Sequence, residues 1–229
     1  MRIVLLGPQG AGKGTQAQRI SEKTGAEHIA TGDLVRAEIK SGSELGQKIK
    51  EYNDRGDLVP DEIIVEMMKP YLEDADSWIL DGFPRNQHQA EALDDMLKEI
   101  DAELDAAVAM EAPDDLLVER LSGRRTSEST GRIYHVEYDP PPEDSDVDPG
   151  PFVQREDDEA EAIRHRLKIY HDQTEPLKDY YADRGILATV DATQSIPEVT
   201  QDILEAVEEK PRSSARATPS SRPCARAGG

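Results

Sequence analysis

The stretch RIVLLGPQGAGKGTQ, residues 2–16, decides the fold. A short apolar run, Ile3 to Leu6, ends in a glycine-rich turn and then in a lysine that opens a helix. Gly7, Gly10 and Gly12 lack a Cβ, so the backbone can turn with positive φ and aim several N–H groups at one point, where the dipole of the next helix adds positive potential. This is a phosphate cradle, with Lys13 reaching the outer phosphates. The spacing satisfies Gly-x-x-x-x-Gly-Lys but puts Gly14 where Ser or Thr usually supplies a magnesium ligand, with Thr15 one place late. Magnesium is therefore expected to be held by phosphates and water, with carboxylates from elsewhere behind them. That arrangement suits phosphoryl transfer between small molecules better than a GTPase switch.

Apolar runs of strand length recur at 2–6, 77–80, 106–110 and 186–190, with helical periodicity between them. That rhythm predicts an α/β fold, a P-loop three-layer sandwich with a parallel central sheet. Pro60 and Asp61, and again Pro113 and Asp114, open helices, and Asp157 begins a charged helix that runs to about Tyr181. Between 125 and 154 the pattern breaks into Pro, Gly and acidic residues around an alternating run at 133–138. This reads as an inserted lid or as an acidic loop, and long loops in compact domains are usually functional.

The 48 acidic against 27 basic residues give a net charge of −21, and with 4 % aromatics this excludes an ordinary nucleic-acid binder. The single cysteine, Cys224, leaves neither a disulfide framework nor a cysteine zinc site and points to a reducing cytoplasm. No apolar run approaches a membrane span, and 3–6 is too short for a signal-peptide core, so no membrane partner is expected. Residues 210–229 switch to Ser, Ala, Pro and Arg and read as a disordered basic tail after a domain spanning 1–209.

Taken together, GPQGAGKGTQ at Gly7, TGDLVR at Thr31, GDLVPDE at Gly56, LDGFPRNQHQA at Leu80, GRRT at Gly123, GRIYHVEYDPP at Gly131 and REDD at Arg155 resemble the adenylate kinases, in the right order and through about Val207. The resemblance implies reversible transfer of the γ-phosphoryl group of MgATP to AMP, giving two ADP. It implies Mg2+ as cofactor, an AMP-binding segment at about 30–60, a lid of the long prokaryotic type at about 123–155, and a monomer. UMP or CMP is the alternative acceptor, and a nucleotide-binding protein without turnover the alternative class.

Two polyanions brought together repel, so such transfer demands fixed positive charge around the moving group. By resemblance Lys13, Arg85, Arg124, Arg155 and Arg166 are catalytic. Arg36 and Arg85 grip the AMP phosphate, Arg124 grips ATP, and Arg155 and Arg166 line the transfer zone and reach AMP. Taken singly, each arginine would serve equally as a structural ion pair in so acidic a chain. ATP is expected against Gly10, Ala11, Gly12, Lys13, Gly14 and Thr15, with Arg124 on its phosphates and Ile133, Tyr134 and Gln194 around its base or ribose. AMP is expected against Thr31, Asp57, Leu58, Val59, Gly82, Phe83 and Pro84, with the Gln89 amide reading the adenine edge. Asp81, at the carboxyl edge of a strand, and Asp33 would orient metal-bound waters, although Asp33 also suits a helix cap. Asp157 and Asp158 match a pair that braces arginines.

Three departures from the family pattern stand out. Gln9 replaces a usual proline. The lid has no cysteine, so no zinc site, and Ser127, Thr130 and Asp146 are expected to form a polar network in its place, with Ser127 standing where relatives often have histidine. His135 and His171 read as ordinary polar positions. The acidity itself points to an extreme halophile.

Overall fold

In the computed structural model, which describes residues 1–55, 59–143, 146–155 and 158–209, the run that ends in the glycine turn is a strand, β1 (Arg2–Leu6), at the centre of a sheet. Its apolar residues are buried on both faces: Val4 and Leu6 enter one core cluster, Ile3 and Leu5 the other. A strand covered on both sides reads as a continuous apolar run, as this one does.

The core continues through α1 (Lys13–Thr24), β2 (Glu27–Ala30), α2 (Thr31–Ser41), α3 (Glu44–Arg55), α4 (Asp61–Asp74), β3 (Trp78–Asp81), α5 (Gln87–Glu99), β4 (Ala106–Glu111) and α6 (Asp114–Ser122). A three-stranded antiparallel sheet then interrupts it, formed by β5 (Arg124–Ser127), β6 (Ile133–His135) and β7 (Phe152–Val153) with β5 in the middle. The core resumes with α7 (Ala160–Ile169), α8 (Leu177–Ala182), β8 (Leu187–Asp191) and α9 (Ile196–Glu208). The five core strands are parallel in the order β2, β3, β1, β4, β8. Strands β3 and β4 flank β1 on opposite sides, so the connections diverge at its carboxyl end, where such sheets leave a crevice for ligands. Helices α1, α6, α7 and α9 cover one face, and α2 to α5 and α8 the other.

The charged helix expected to run unbroken to about Tyr181 is instead divided. After α7 a π-helical turn, Tyr170–Thr174, closes with a hydrogen bond from Glu175 N to Tyr170 O at 2.9 Å, and α8 starts beyond Pro176. Proline has no N–H to donate and crowds the preceding turn, so the ladder widens ahead of it. Asp157, the expected start of that helix, lies outside the described residues, as does the tail from 210. Among the described residues, no helix is long and apolar enough to cross a membrane.

The small sheet is held by a polar knot whose centre differs from expectation. The carboxylate at its hub is Asp148, not Asp146, which is exposed. Asp148 is 2 % exposed and accepts from Ser127 Oγ at 2.7 Å, Thr130 Oγ1 at 2.8 Å, Tyr134 OH at 3.0 Å and Gly150 N at 3.1 Å. Three hydroxyls from around β5 and β6 draw this carboxyl inward, and the N–H of the glycine two residues on completes the set. Loss of water around Asp148 favours its neutral form, but these four donors outweigh that and hold it far below the usual carboxylate range. A depressed carboxyl contributes stability above its unfolded pKa, near 3.8, and loses it as pH falls toward the folded value. Replacing Asp148 by alanine is therefore expected to lower the thermal midpoint by several degrees at pH 7, with the gap from wild type narrowing only in acid, below about pH 4. Calorimetry of both proteins across pH checks this, and equal midpoints at neutral pH would contradict it.

Candidate active site

A cavity of about 1150 Å³ opens outside the carboxyl ends of β1, β2 and β3. The cradle forms as the glycines imply, with φ of 148° at Gly7, 85° at Gly10 and 89° at Gly12. At Gly7 a Cβ would come within 2.7 Å of the Met110 carbonyl, so no other residue fits there without moving β4. At Gly14 a Cβ would stand 3.2 Å from Asp81 Oδ2. The departure from Ser or Thr thus has a steric side: the helix start lies against the Asp81 carboxylate.

The cavity brings together most of the expected residues. Gly10, Ala11, Gly12, Lys13, Gly14 and Thr15 line it, as do Thr31, Asp33, Arg36, Val59, Asp81, Gly82, Pro84, Arg85 and Gln89. From the far side come Arg124, Ile133, Tyr134, Arg155, Arg166 and Gln194. Asp57 and Leu58 fall outside the described residues. Phe83 is not a lining residue: its ring is fully buried in the core cluster beneath the turn, where an apolar side chain gains most from leaving water.

Lys13 Nζ donates to the Gly7 and Pro8 carbonyls at 2.8 and 2.9 Å. Removal from water pushes its pKa down to about 8, with repulsion from Arg85 and Arg124 adding to the fall and Asp81 opposing it. Burial acts to raise Asp81, yet the neighbouring His28 ring and the charges of Lys13 and Arg85 outweigh it and hold the carboxyl below its usual value. His28, on β2, has its Nε2 3.7 Å from Asp81 Oδ2.

Arg85 is fixed by its backbone. Its N–H donates to Gln89 Oε1 at 2.8 Å, its carbonyl accepts from Thr174 Oγ1 at 2.6 Å, and its Nε donates to Gly82 O at 2.7 Å. Arg124 makes a two-point contact with Asp158, Nε to Oδ2 at 2.8 Å, and that carboxylate is 1 % exposed. The bracing expected of the 157–158 pair is realised at Asp158. Arg155 Nε donates to Thr126 Oγ1 at 2.9 Å, and Arg36 pairs with Asp33 on α2.

Three residues sit deeper than a simple contact with ligand implies. Thr31 is 3 % exposed and its hydroxyl lies 3.6 Å from Met68 Sδ. Gln89 is 2 % exposed rather than on an open helix face. Tyr134 spends its hydroxyl on Asp148 and packs edge-on against Phe152 at 5.3 Å between ring centres. Gln194 Nε2 donates to Asp191 O at 3.1 Å and Asp202 Oδ2 at 2.8 Å at the start of α9.

Sequence reading missed His28, Thr174 and Arg120. Arg120 lines the cavity and donates to Ala192 O at 2.9 Å. It lies in the last turn of α6, four residues before Arg124 on β5, and belongs to no motif of its own. Thr174 had no local signal, since what matters is a bend created by a proline two residues on.

The adenylate kinase family profile matches residues 5–186. The adenylate kinase of Archaeoglobus fulgidus is 48 % identical over 93 % of this chain and 100 % of its own. That of Thermodesulfovibrio yellowstonii is 49 % identical over 92 % and 100 %, and that of Salinibacter ruber 47 % over 91 % and 98 %.

Proposed function

The chain belongs to the adenylate kinase family of phosphotransferases, and from that premise we propose how its cavity moves the γ-phosphoryl group of MgATP onto AMP, giving two ADP reversibly. The observation that carries the reading is the convergence of Lys13, Arg36, Arg85, Arg124, Arg155 and Arg166 on one cavity of a strongly acidic protein.

ATP lies with its phosphates in the glycine cradle, and AMP on the side of Thr31, Arg36, Val59, Arg85 and Gln89. Lys13 and the arginines neutralise the charge that spreads over the transferring group, and guanidinium forks suit phosphate oxygens. Asp158 behind Arg124 and the three anchors on Arg85 support this assignment, because donors fixed beforehand need no reorganisation as charge develops. No general base is needed, since the AMP phosphate is already nucleophilic. The insertion at about 123–155 acts as a lid of the long type: Ile133 and Tyr134 on it and the cradle beneath line one cavity, so its closure keeps water from the transfer. Magnesium, when bound with ATP, supplies further charge neutralisation. The donor set fits that ion: Asp81 offers a charged carboxylate for its waters, with Asp33 across the same cavity.

Initial rates with AMP, UMP and CMP as acceptors test the reading. A strong preference for AMP is expected, and a preference for a pyrimidine nucleotide would move the assignment to the other acceptors.

We further propose a monomer working in the cytoplasm of a halophile. The stretch from Lys210 onward contains five basic residues and no acidic one; without it, 22 basic residues face the 48 acidic, a net −26 on the domain. Folding crowds these carboxylates, and their field repels the anionic substrates except where the arginines reverse it. At molar salt the screening length falls to about 3 Å, which removes surface repulsion and spares close arginine–phosphate pairs. The thermal midpoint is expected to climb steeply from about 0.1 M to above 2 M KCl. A midpoint that stayed level or fell would remove the halophile reading and leave the phosphotransfer untouched.

A further inference from the structure

The Gln89 amide is oriented by its surroundings. One partner is the Arg85 backbone N–H, which can only donate, and it meets Gln89 Oε1 at 2.8 Å. The other is the Asp61 carboxylate, which when ionised can only accept, and Gln89 Nε2 donates to its Oδ1 at 2.6 Å. The carbonyl oxygen therefore faces Arg85 and the amino group faces Asp61. A half-turn of the amide would set donor against donor and oxygen against carboxylate.

Asp61 is itself held. It is the first residue of α4, and its Oδ1 also accepts from Asn86 Nδ2 at 2.8 Å, while Oδ2 lies 3.1 Å from His88 Nδ1. Asn86 caps α5, its Oδ1 accepting from Gln89 N at 2.9 Å. One lone pair on Oε1 and one hydrogen on Nε2 remain, on a residue that lines the cavity.

An amide so fixed offers one acceptor and one donor in a set order. Adenine's edge, with a donating 6-amino group and an accepting N1, matches one order. A 6-oxopurine, with an accepting O6 and a donating N1–H, matches the reverse and needs the flipped amide. We propose that Asp61 is the positioning residue for base selection, holding Gln89 in the orientation that takes a 6-aminopurine monophosphate and rejects a 6-oxopurine one. This rests on the reading that Gln89 meets the acceptor's base. The two residues act in series, with Gln89 touching the base and Asp61 working through it.

The test is kcat/KM for AMP and for IMP in wild type, Asp61→Leu, Asp61→Asn, Gln89→Ala and the Asp61→Leu/Gln89→Ala pair. Removing a charged hydrogen bond to the amide is expected to lower the AMP-to-IMP ratio about tenfold in Asp61→Leu. Asp61→Asn keeps an accepting oxygen and is expected to fall between it and wild type. In the Gln89→Ala background Asp61→Leu is expected to change the ratio no further, which a merely structural role would not produce. If Gln89→Ala collapses the ratio and Asp61→Leu leaves it intact, the Asp61 role is overturned while Gln89 still reads the base. If Gln89→Ala leaves the ratio unchanged, the underlying reading fails and the proposal with it. An equal fall from Asp61→Leu in both backgrounds also overturns the proposal, since the effect would not pass through Gln89. Should the leucine variant not fold, Asp61→Asn decides: a lowered ratio supports the proposal and an unchanged one overturns it.

Discussion

Replacing Arg85 by alanine is expected to lower kcat about a thousandfold while leaving the thermal midpoint close to that of wild type. The separation of the two effects follows from how Arg85 is held. Its N–H bond to Gln89 Oε1 and its carbonyl bond from Thr174 Oγ1 are made by backbone atoms and survive the substitution. The change removes the guanidinium and its bond to Gly82 O, the part aimed at developing charge. Lysine at this position is expected to recover only part of the loss, because an ammonium restores the charge without the planar fork. Steady-state kinetics on Arg85→Ala and Arg85→Lys beside thermal unfolding checks this. Turnover near wild type in the alanine variant would remove Arg85 from the catalytic group.

Lys13→Met is expected to cost activity on the same scale but to move stability in the opposite direction. The ammonium rests, half-buried, on the Gly7 and Pro8 carbonyls, and loss of water around it pushes its pKa down to about 8 against an ordinary 10.5. Holding that charge inside is unfavourable whenever the lysine is protonated in both states, which is the case below about pH 8. Methionine fills similar volume without charge, so the variant is expected to melt at or above the wild-type temperature at pH 7. Between about pH 8 and 10.5 the folded lysine has shed its proton and the unfolded one has not, so the wild type gains stability with rising pH across that window and the difference narrows. A site that stores unfavourable charge for its ligands shows this opposition of stability and activity. A stable variant with wild-type kcat would contradict the role given to Lys13, and a variant that melted well below wild type would contradict the effect assigned to its burial.

How much of this was legible in the sequence depends on the range of the interaction concerned. The cradle was readable because strand, glycines, lysine and helix follow one another within fifteen residues. Strands β1, β3 and β4 were readable because a strand buried on both faces is an unbroken apolar run, which β2, EHIA with Glu27 exposed, is not. The arginines were readable only together, each in its motif. Asp148 was misread as Asp146 because both lie in one acidic stretch, and which carboxyl turns inward is set by where Ser127, Thr130 and Tyr134 arrive around β5 and β6. Phe83 sits in a motif whose neighbours Gly82 and Pro84 line the cavity, yet its own ring gains more in the core. Asp61 was visible as a helix start; its bond to Gln89 spans 28 positions and left no local trace.

Direct transfer requires one cavity to hold donor and acceptor together and to pass the phosphoryl group between them. ATP labelled in its γ-phosphate, incubated with the protein, unlabelled AMP and magnesium, follows that transfer atom by atom. Label is expected to leave ATP at half the initial rate of total ADP formation, since each transfer yields two ADP, and to appear in the β-phosphate of the ADP made from AMP, with no release of labelled inorganic phosphate beyond that seen without enzyme. Label recovered chiefly as inorganic phosphate, or label retained in ATP while AMP is bound, would contradict direct transfer.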